Sequence, residues 1–126
     1  MRISEEFVRN HLDRWVRAWN SRDLAGVLDM YSHDIEFASP KIRDVMPEKS
    51  DSKVKGKTEL EQYWSLALHK HKELHFTPMA FAINGDACFF DYVSLLNGQK
   101  TLVVEKFQFS SDGLVSRSSA FYGAQS

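Results

Sequence analysis

One cysteine, three prolines and six glycines in 126 residues leave this chain with few of the residues that staple, break or loosen a fold. The lone Cys88 has no intramolecular disulfide partner. Apolar runs never approach the 20 or so residues that a membrane span requires, and Met1 to Glu6 lead into a polar helix rather than the apolar core of a signal peptide. The expectation is therefore a cytoplasmic protein. An excess of either charge is also missing: 16 Lys and Arg face 17 Asp and Glu, so no net field draws the chain to nucleic acid or to an anionic membrane. Aromatic residues, by contrast, are plentiful, with three Trp, four Tyr and nine Phe that must fill a core or line a cavity. At 43% hydrophobic content the chain suits one compact domain, residues 1–126, which at this size buries roughly two-thirds of the surface its unfolded form exposes.

Periodicity divides the chain in two. Phe7, Val8, Leu12, Trp15, Val16 and Trp19 recur at helical spacing between Ser4-Glu5-Glu6 and the Asn20-Ser21 break, which predicts a long amphipathic helix. Leu24, Val27, Leu28 and Tyr31 continue at i, i+3, i+4 and i+7, predicting a second short helix that ends near Ser32 in spite of Gly26. "IEFASP", from Ile35 to Pro40, reads as a strand with Ile35, Phe37 and Ser39 on one face. The charged, aperiodic residues 41–56 read as a loop, and Thr58 to Glu61 match a capping box before a third helix with Leu60, Tyr63, Trp64, Ala67 and Leu68 as its stripe. From Leu74 onward the period changes to two. Four extended segments, 74–83, 87–96, 100–109 and 114–122, are separated by "NGD", "NGQ" and "SSDG", which predicts an antiparallel meander with Pro78 at an edge or bulge. Helices followed by a curled sheet give an α+β domain, with the sheet wrapped around three helices.

Alternation in "TLVVEKFQF" places Glu105 in a row with Val103, Phe107 and Phe109. An acid in that row either enters a pocket, where burial would favour its protonated form, or lies near a sheet edge and pairs with a Lys or Arg. Asp91 has the opposite environment: it shares a face with Phe89, Val93 and Leu95, while Phe90, Tyr92 and Ser94 share the other. If the second face meets the helices, the first joins Leu102 and Val104 in an apolar patch that a homodimer through the outer sheet face would cover, with Asp91 at its rim. His69, His71 and His75 do not offer three ligands of clear metal geometry, so solvated histidines and no metal or cofactor are expected. No G-x-S-x-G surrounds any serine, and Cys88 suits a small core residue.

The stretches "LDRWVRAWNSRDLAGVLDMYSHDIEFASP", "GKTELEQYW" and "EKFQFSSDGLVSRSSAFYG" together resemble the ketosteroid isomerase branch of the nuclear-transport-factor-2-like superfamily, which also includes small polyketide cyclases. The resemblance spans nearly the whole chain and implies a cone: a strongly curved antiparallel sheet around helices, with an apolar pocket between them. It places the isomerase's protonated acid, a worked example of pKa tuning, on Glu105. The tyrosine partner of that acid falls on Trp15, which keeps one N–H donor. The isomerase's general base falls on Ser39, which lacks a pKa near neutrality, and this argues against steroid isomerisation by the isomerase's mechanism.

The site expected from these readings has Glu105 as acid or base, with Trp15, Ser39 and Tyr92 positioning or polarising an oxygen. Trp19, Tyr31, Trp64, Phe90, Phe107 and Tyr122 would line the remainder of a pocket for a flat, apolar molecule bearing a carbonyl or hydroxyl. A non-enzymatic interaction module, presenting the outer sheet face, is the alternative on the same scaffold.

Overall fold

The computed structural model describes residues 2–123. Ser4 caps α1 (Glu5–Asn20) by accepting the Phe7 N–H at 3.0 Å, while Glu5 and Glu6 sit at the positive end of the helix dipole. The stripe of Val8, Leu12, Trp15 and Trp19, widened by His11 and Val16, is buried. Four strands in the second half, β3 (Leu74–Asn84), β4 (Ala87–Leu96), β5 (Gln99–Phe109) and β6 (Val115–Tyr122), form the expected antiparallel meander. Asn97 and Gly98 join β4 to β5 with φ of 49° and 85°, the two left-handed residues that a tight two-residue hairpin demands. Pro78 lies on the outermost strand, where the register shifts before Ala80, so its missing N–H breaks no ladder in the sheet interior.

The first half departs from its periodicity in three places. The second helix, α2 (Leu24–Leu28), stops early, and Tyr31 opens β1 (Tyr31–Ala38). Helical spacing yields here to a ladder, because the Val115 N–H donates to the Met30 carbonyl at 3.0 Å and starts the pairing of β1 with β6. That pairing is parallel, whereas every other strand pair of the six-stranded sheet, in the order β2-β1-β6-β5-β4-β3, is antiparallel. Residues 41–56, expected as a loop, hold a one-turn helix α3 (Ile42–Val45) and a short edge strand β2 (Lys53–Lys55) that sets Val54 opposite Phe37. Finally, α4 (Lys57–Lys70) is capped by Gly56 at φ 85°, two residues ahead of the expected cap Thr58. Glu59 then accepts the Lys55 N–H at 2.8 Å and the Lys49 Nζ at 3.0 Å, which ties the 41–56 segment to the helix. Gly26 also has a local cause. The cap carboxylate of Asp23 accepts its N–H and would stand 2.4 Å from any Cβ placed there.

Helices cover one face of the curved sheet, and the strand alternation sorts side chains as the sequence predicts. Cys88, Phe90, Tyr92 and Ser94 of β4 and Val103, Glu105, Phe107 and Phe109 of β5 are all buried. Phe89 and Leu102 remain 45% and 46% exposed on the other face, so the sheet has one dry and one open side. Asn20, ending α1, pins the free edge of β3: its side chain donates to the Phe76 carbonyl at 3.0 Å and accepts the Phe76 N–H at 2.7 Å. Two backbone groups that an edge strand would leave to water are thereby satisfied. Among the described residues, no helix is long and apolar enough to cross a membrane.

Candidate functional site

Along each inner strand the buried residues divide into a solid half and a hollow half. Phe90 of β4 and Phe107 of β5 pack on Trp15, with ring centroids 5.8 and 5.6 Å from it, while His11 and Phe109 sit 4.8 Å apart deeper in the same core. Toward the other end, where α4 and α3 stand away from the sheet, Tyr92, Ser94, Val103 and Glu105 line a cavity of about 130 Å³. Trp15, Trp19, Trp64 and Phe76 complete its buried wall. Its mouth is formed by half-exposed or exposed residues, chiefly Lys41, Asp44, Lys70 and His71.

Glu105 occupies the cavity wall and is 5% exposed. One oxygen, Oε1, accepts a 2.6 Å hydrogen bond from the Tyr92 hydroxyl, and the other, Oε2, is buried with no partner. Loss of water pushes the carboxyl up to about 7, opposed first by the Tyr92 hydrogen bond and then by the Ser118 hydroxyl, which stands nearby but outside hydrogen-bond geometry and is itself without a partner. The edge alternative, in which Glu105 pairs with a Lys or Arg, is absent among the described ion pairs. Near neutral pH such a group is divided between acid and carboxylate, so Oε2 can either donate or accept a proton. Tyr92, held well above an ordinary phenol by burial and by the neighbouring carboxylate, stays protonated and fixes the carboxyl's orientation.

Several residues expected at the site stand elsewhere. Trp15 lines the cavity, but its indole N–H donates to the Tyr31 hydroxyl at 3.0 Å and is not free for a ligand. Tyr31, Phe90 and Phe107 are core residues behind the wall, because the aromatic cluster around Trp15 fills the narrow end of the cone. Ser39 is 2% exposed and off the wall; its Oγ accepts the Lys41 N–H at 3.2 Å and its carbonyl accepts the Ile42 N–H, so it caps the turn into α3. Trp19, Trp64 and Tyr122 do line the cavity, as do Tyr92 and Glu105. The Trp19 indole N–H is buried with no partner, a second unused polar group.

Sequence reasoning missed Phe76, Tyr63, Ser94 and the mouth. Ser94 and Phe76 share the inward parity of their strands, and parity alone could have found them. Lys41 and Asp44 carried no signal, since they lie in a segment without periodicity. His71, expected to be solvated, lines the mouth with its Nδ1 buried and unpartnered, and burial together with Lys70 and Lys41 holds its imidazole below the ordinary value. Asp44 is the only carboxylate besides Glu105 among the described lining residues. Cys88 is a buried thiol pushed up to about 12 by loss of solvent, and it lies off the wall. Among the described residues, no three His, Cys, Asp or Glu side chains converge as a metal site would require.

Comparison with known proteins places this architecture. Residues 12–117 match the family model described as the SnoaL-like domain. A SnoaL-like protein of unknown function from Burkholderia thailandensis E264 is 27% identical, with a TM-score of 0.89 over 98% of this chain and 100% of that one. A protein from Kribbella flavida DSM 17836, provisionally named a ketosteroid isomerase, is 15% identical with a TM-score of 0.75 over 96% of this chain and 81% of that one. TerC, co-crystallised with polyporic acid, is 15% identical with a TM-score of 0.76 over 93% and 91% of the two chains. No curated protein matches by sequence at a significant level.

Proposed function

The chain belongs to the SnoaL-like domain family, and from that premise we propose that its cavity binds a small, flat, apolar molecule carrying a carbonyl or hydroxyl, with Glu105 exchanging a proton with that oxygen. One observation carries the reading: a buried carboxyl on an aromatic wall with one oxygen held by Tyr92 and the other unpartnered. A buried polar atom without a partner costs about 1–3 kcal/mol, which a ligand oxygen would recover on binding. The neighbour TerC, co-crystallised with polyporic acid, supports small-molecule binding on this scaffold. Volume limits the occupant, since cavities of roughly 150 Å³ admit benzene, whereas drug-sized ligands take roughly 300 Å³ or more. A single ring fits about 130 Å³; a steroid does not unless the mouth opens.

In its protonated form Glu105 donates to a ligand carbonyl and stabilises negative charge that develops there; in its ionised form it accepts from a hydroxyl. The test is a thermal-shift panel of phenols and cyclic enones on the wild-type protein and on Glu105→Gln. Saturable shifts in the wild type that weaken at least tenfold in the variant support the reading. Silence from every compound in both proteins would remove it.

The outer sheet face favours a second reading, in which that surface is the working one. Phe89, Leu102 and Phe121 are 45%, 46% and 54% exposed, and the strand registers set Val104 beside Phe121 and Val93 beside Leu102. We propose that a second copy of the chain covers this patch, with half-buried Asp91 at its rim. Sedimentation velocity should then give a dimer that Phe121→Asp dissociates. A monomeric wild type at micromolar concentration would overturn the assembly and leave the cavity reading intact.

A further inference from the structure

We propose that the molecule bound in the cavity carries an anionic group at the end opposite its neutral oxygen, and that Lys41, Lys70 and His71 at the mouth recognise it. This rests on the cavity reading and adds the charge and orientation of the ligand to it. The cavity is polarised by position. Its buried floor holds Glu105, Trp19 and Tyr92, none of which bears a positive charge, while two lysines and a histidine stand at the half-exposed rim.

The rim is built rather than incidental. Lys41 Nζ lies 4.9 Å from the centre of the Tyr122 ring, which folds the ammonium over the cavity wall instead of out into solvent. Neither Lys41 nor Lys70 has an ion-pair partner among the described residues, so neither ammonium is held in a salt bridge. His71 Nδ1 is buried on the same rim without a hydrogen-bond partner. Both lysines act electrostatically on His71, and Asp44, the one carboxylate at the mouth, follows Lys41 on α3 and acts on Tyr63 and Tyr122. The mouth therefore carries two ammonium groups against one carboxylate, a net positive rim whose cationic side is where Lys70 and His71 end α4. The C-terminal carbonyls of α4 would repel an anion on the cationic side, but the Arg22 guanidinium covers them, donating to the Leu68 carbonyl at 2.5 Å and the His71 carbonyl at 3.0 Å.

A single-ring compound with a neutral oxygen at one end and a carboxylate at the other matches both ends and the cavity's size. The probes are 4-hydroxybenzoate, its neutral isostere 4-hydroxybenzamide and its cationic counterpart 4-hydroxybenzylamine, titrated calorimetrically into the full chain. The benzoate should bind about tenfold more tightly than the amide and the amine most weakly, in keeping with two partly exposed ion pairs. In the double variant Lys41→Gln, Lys70→Gln, checked for folding by circular dichroism, the preference for benzoate over amide should fall to within about twofold. Benzoate and amide binding equally well to the wild type would overturn the anionic assignment while leaving the cavity reading standing. A preference that survives in the folded double variant would also overturn it. Failure of all three probes to bind would overturn the inference, whereas the cavity reading falls only if the panel of phenols and enones is silent as well.

Discussion

Replacing Glu105 by Gln should make the protein more stable at alkaline pH and change little in acid. The native carboxyl titrates near 7, against 4.5 for an ordinary glutamate, because burial penalises its charged form. A folded-state value above the unfolded one means that the native protein holds the proton more tightly. Its contribution is therefore complete below about pH 4.5 and is lost as pH rises through about 7. A gap of roughly two and a half pH units, at about 1.36 kcal/mol each, comes to about 3 kcal/mol. Glutamine has no proton to lose, keeps an acceptor for the Tyr92 hydroxyl and places its amide where Oε2 is already unpartnered. Urea unfolding followed by tryptophan fluorescence, run in parallel on both proteins from about pH 4.5 to 8, gives the difference directly. The two should agree at the acid end, and the variant should lead by about 2–3 kcal/mol at the alkaline end. His11 titrates identically in both and cancels. Parallel curves across the whole range would show that Glu105 is not buried without a charge partner, and the site chemistry would fall with it.

His11 should impose the opposite limb. Burial, aided by Arg14, lowers its imidazole to about 4 from 6.5, so its contribution is present above 6.5 and lost as pH falls toward 4; His11→Leu should spare about 2.5 kcal/mol at about pH 4.5, the acid end of the same urea series. Asn20→Ala removes both side-chain bonds to Phe76 and should cost about 2 kcal/mol, with hydrogen exchange quickening first at the Phe76 amide. Ser39→Ala should cost about 1 kcal/mol through the lost Lys41 N–H bond while leaving phenol affinity within twofold, because the hydroxyl is off the wall and reaches the cavity only through Tyr63 and Tyr122, behind which it sits. A tenfold loss of affinity in that variant would return Ser39 to the site.

Inward and outward residues of β4 and β5 were legible in the sequence, because alternation is a local property of extended chain that a packed face merely selects, whereas the register shift where β6 pairs with β5 was not. The α1 stripe and the Asn97-Gly98 hairpin were legible for the same reason, each set by spacing or by tolerance of positive φ. The presence of an acid in an apolar row already required either a partner or a raised pKa. What spacing does not encode is depth along a strand. Phe90 and Tyr92 share a face, and so do Glu105 and Phe107, yet in each pair one residue walls the cavity and the other plugs the core. That division is decided by where α3 and α4 stand away from the curved sheet, a matter of how distant segments pack. Tyr31 left its helical register for the same kind of reason, drawn into β1 by pairing with β6, and the Trp15 N–H was claimed by a hydroxyl sixteen residues away. The chain's own periodicities chose the faces; the meeting of remote elements chose which part of those faces stayed hollow.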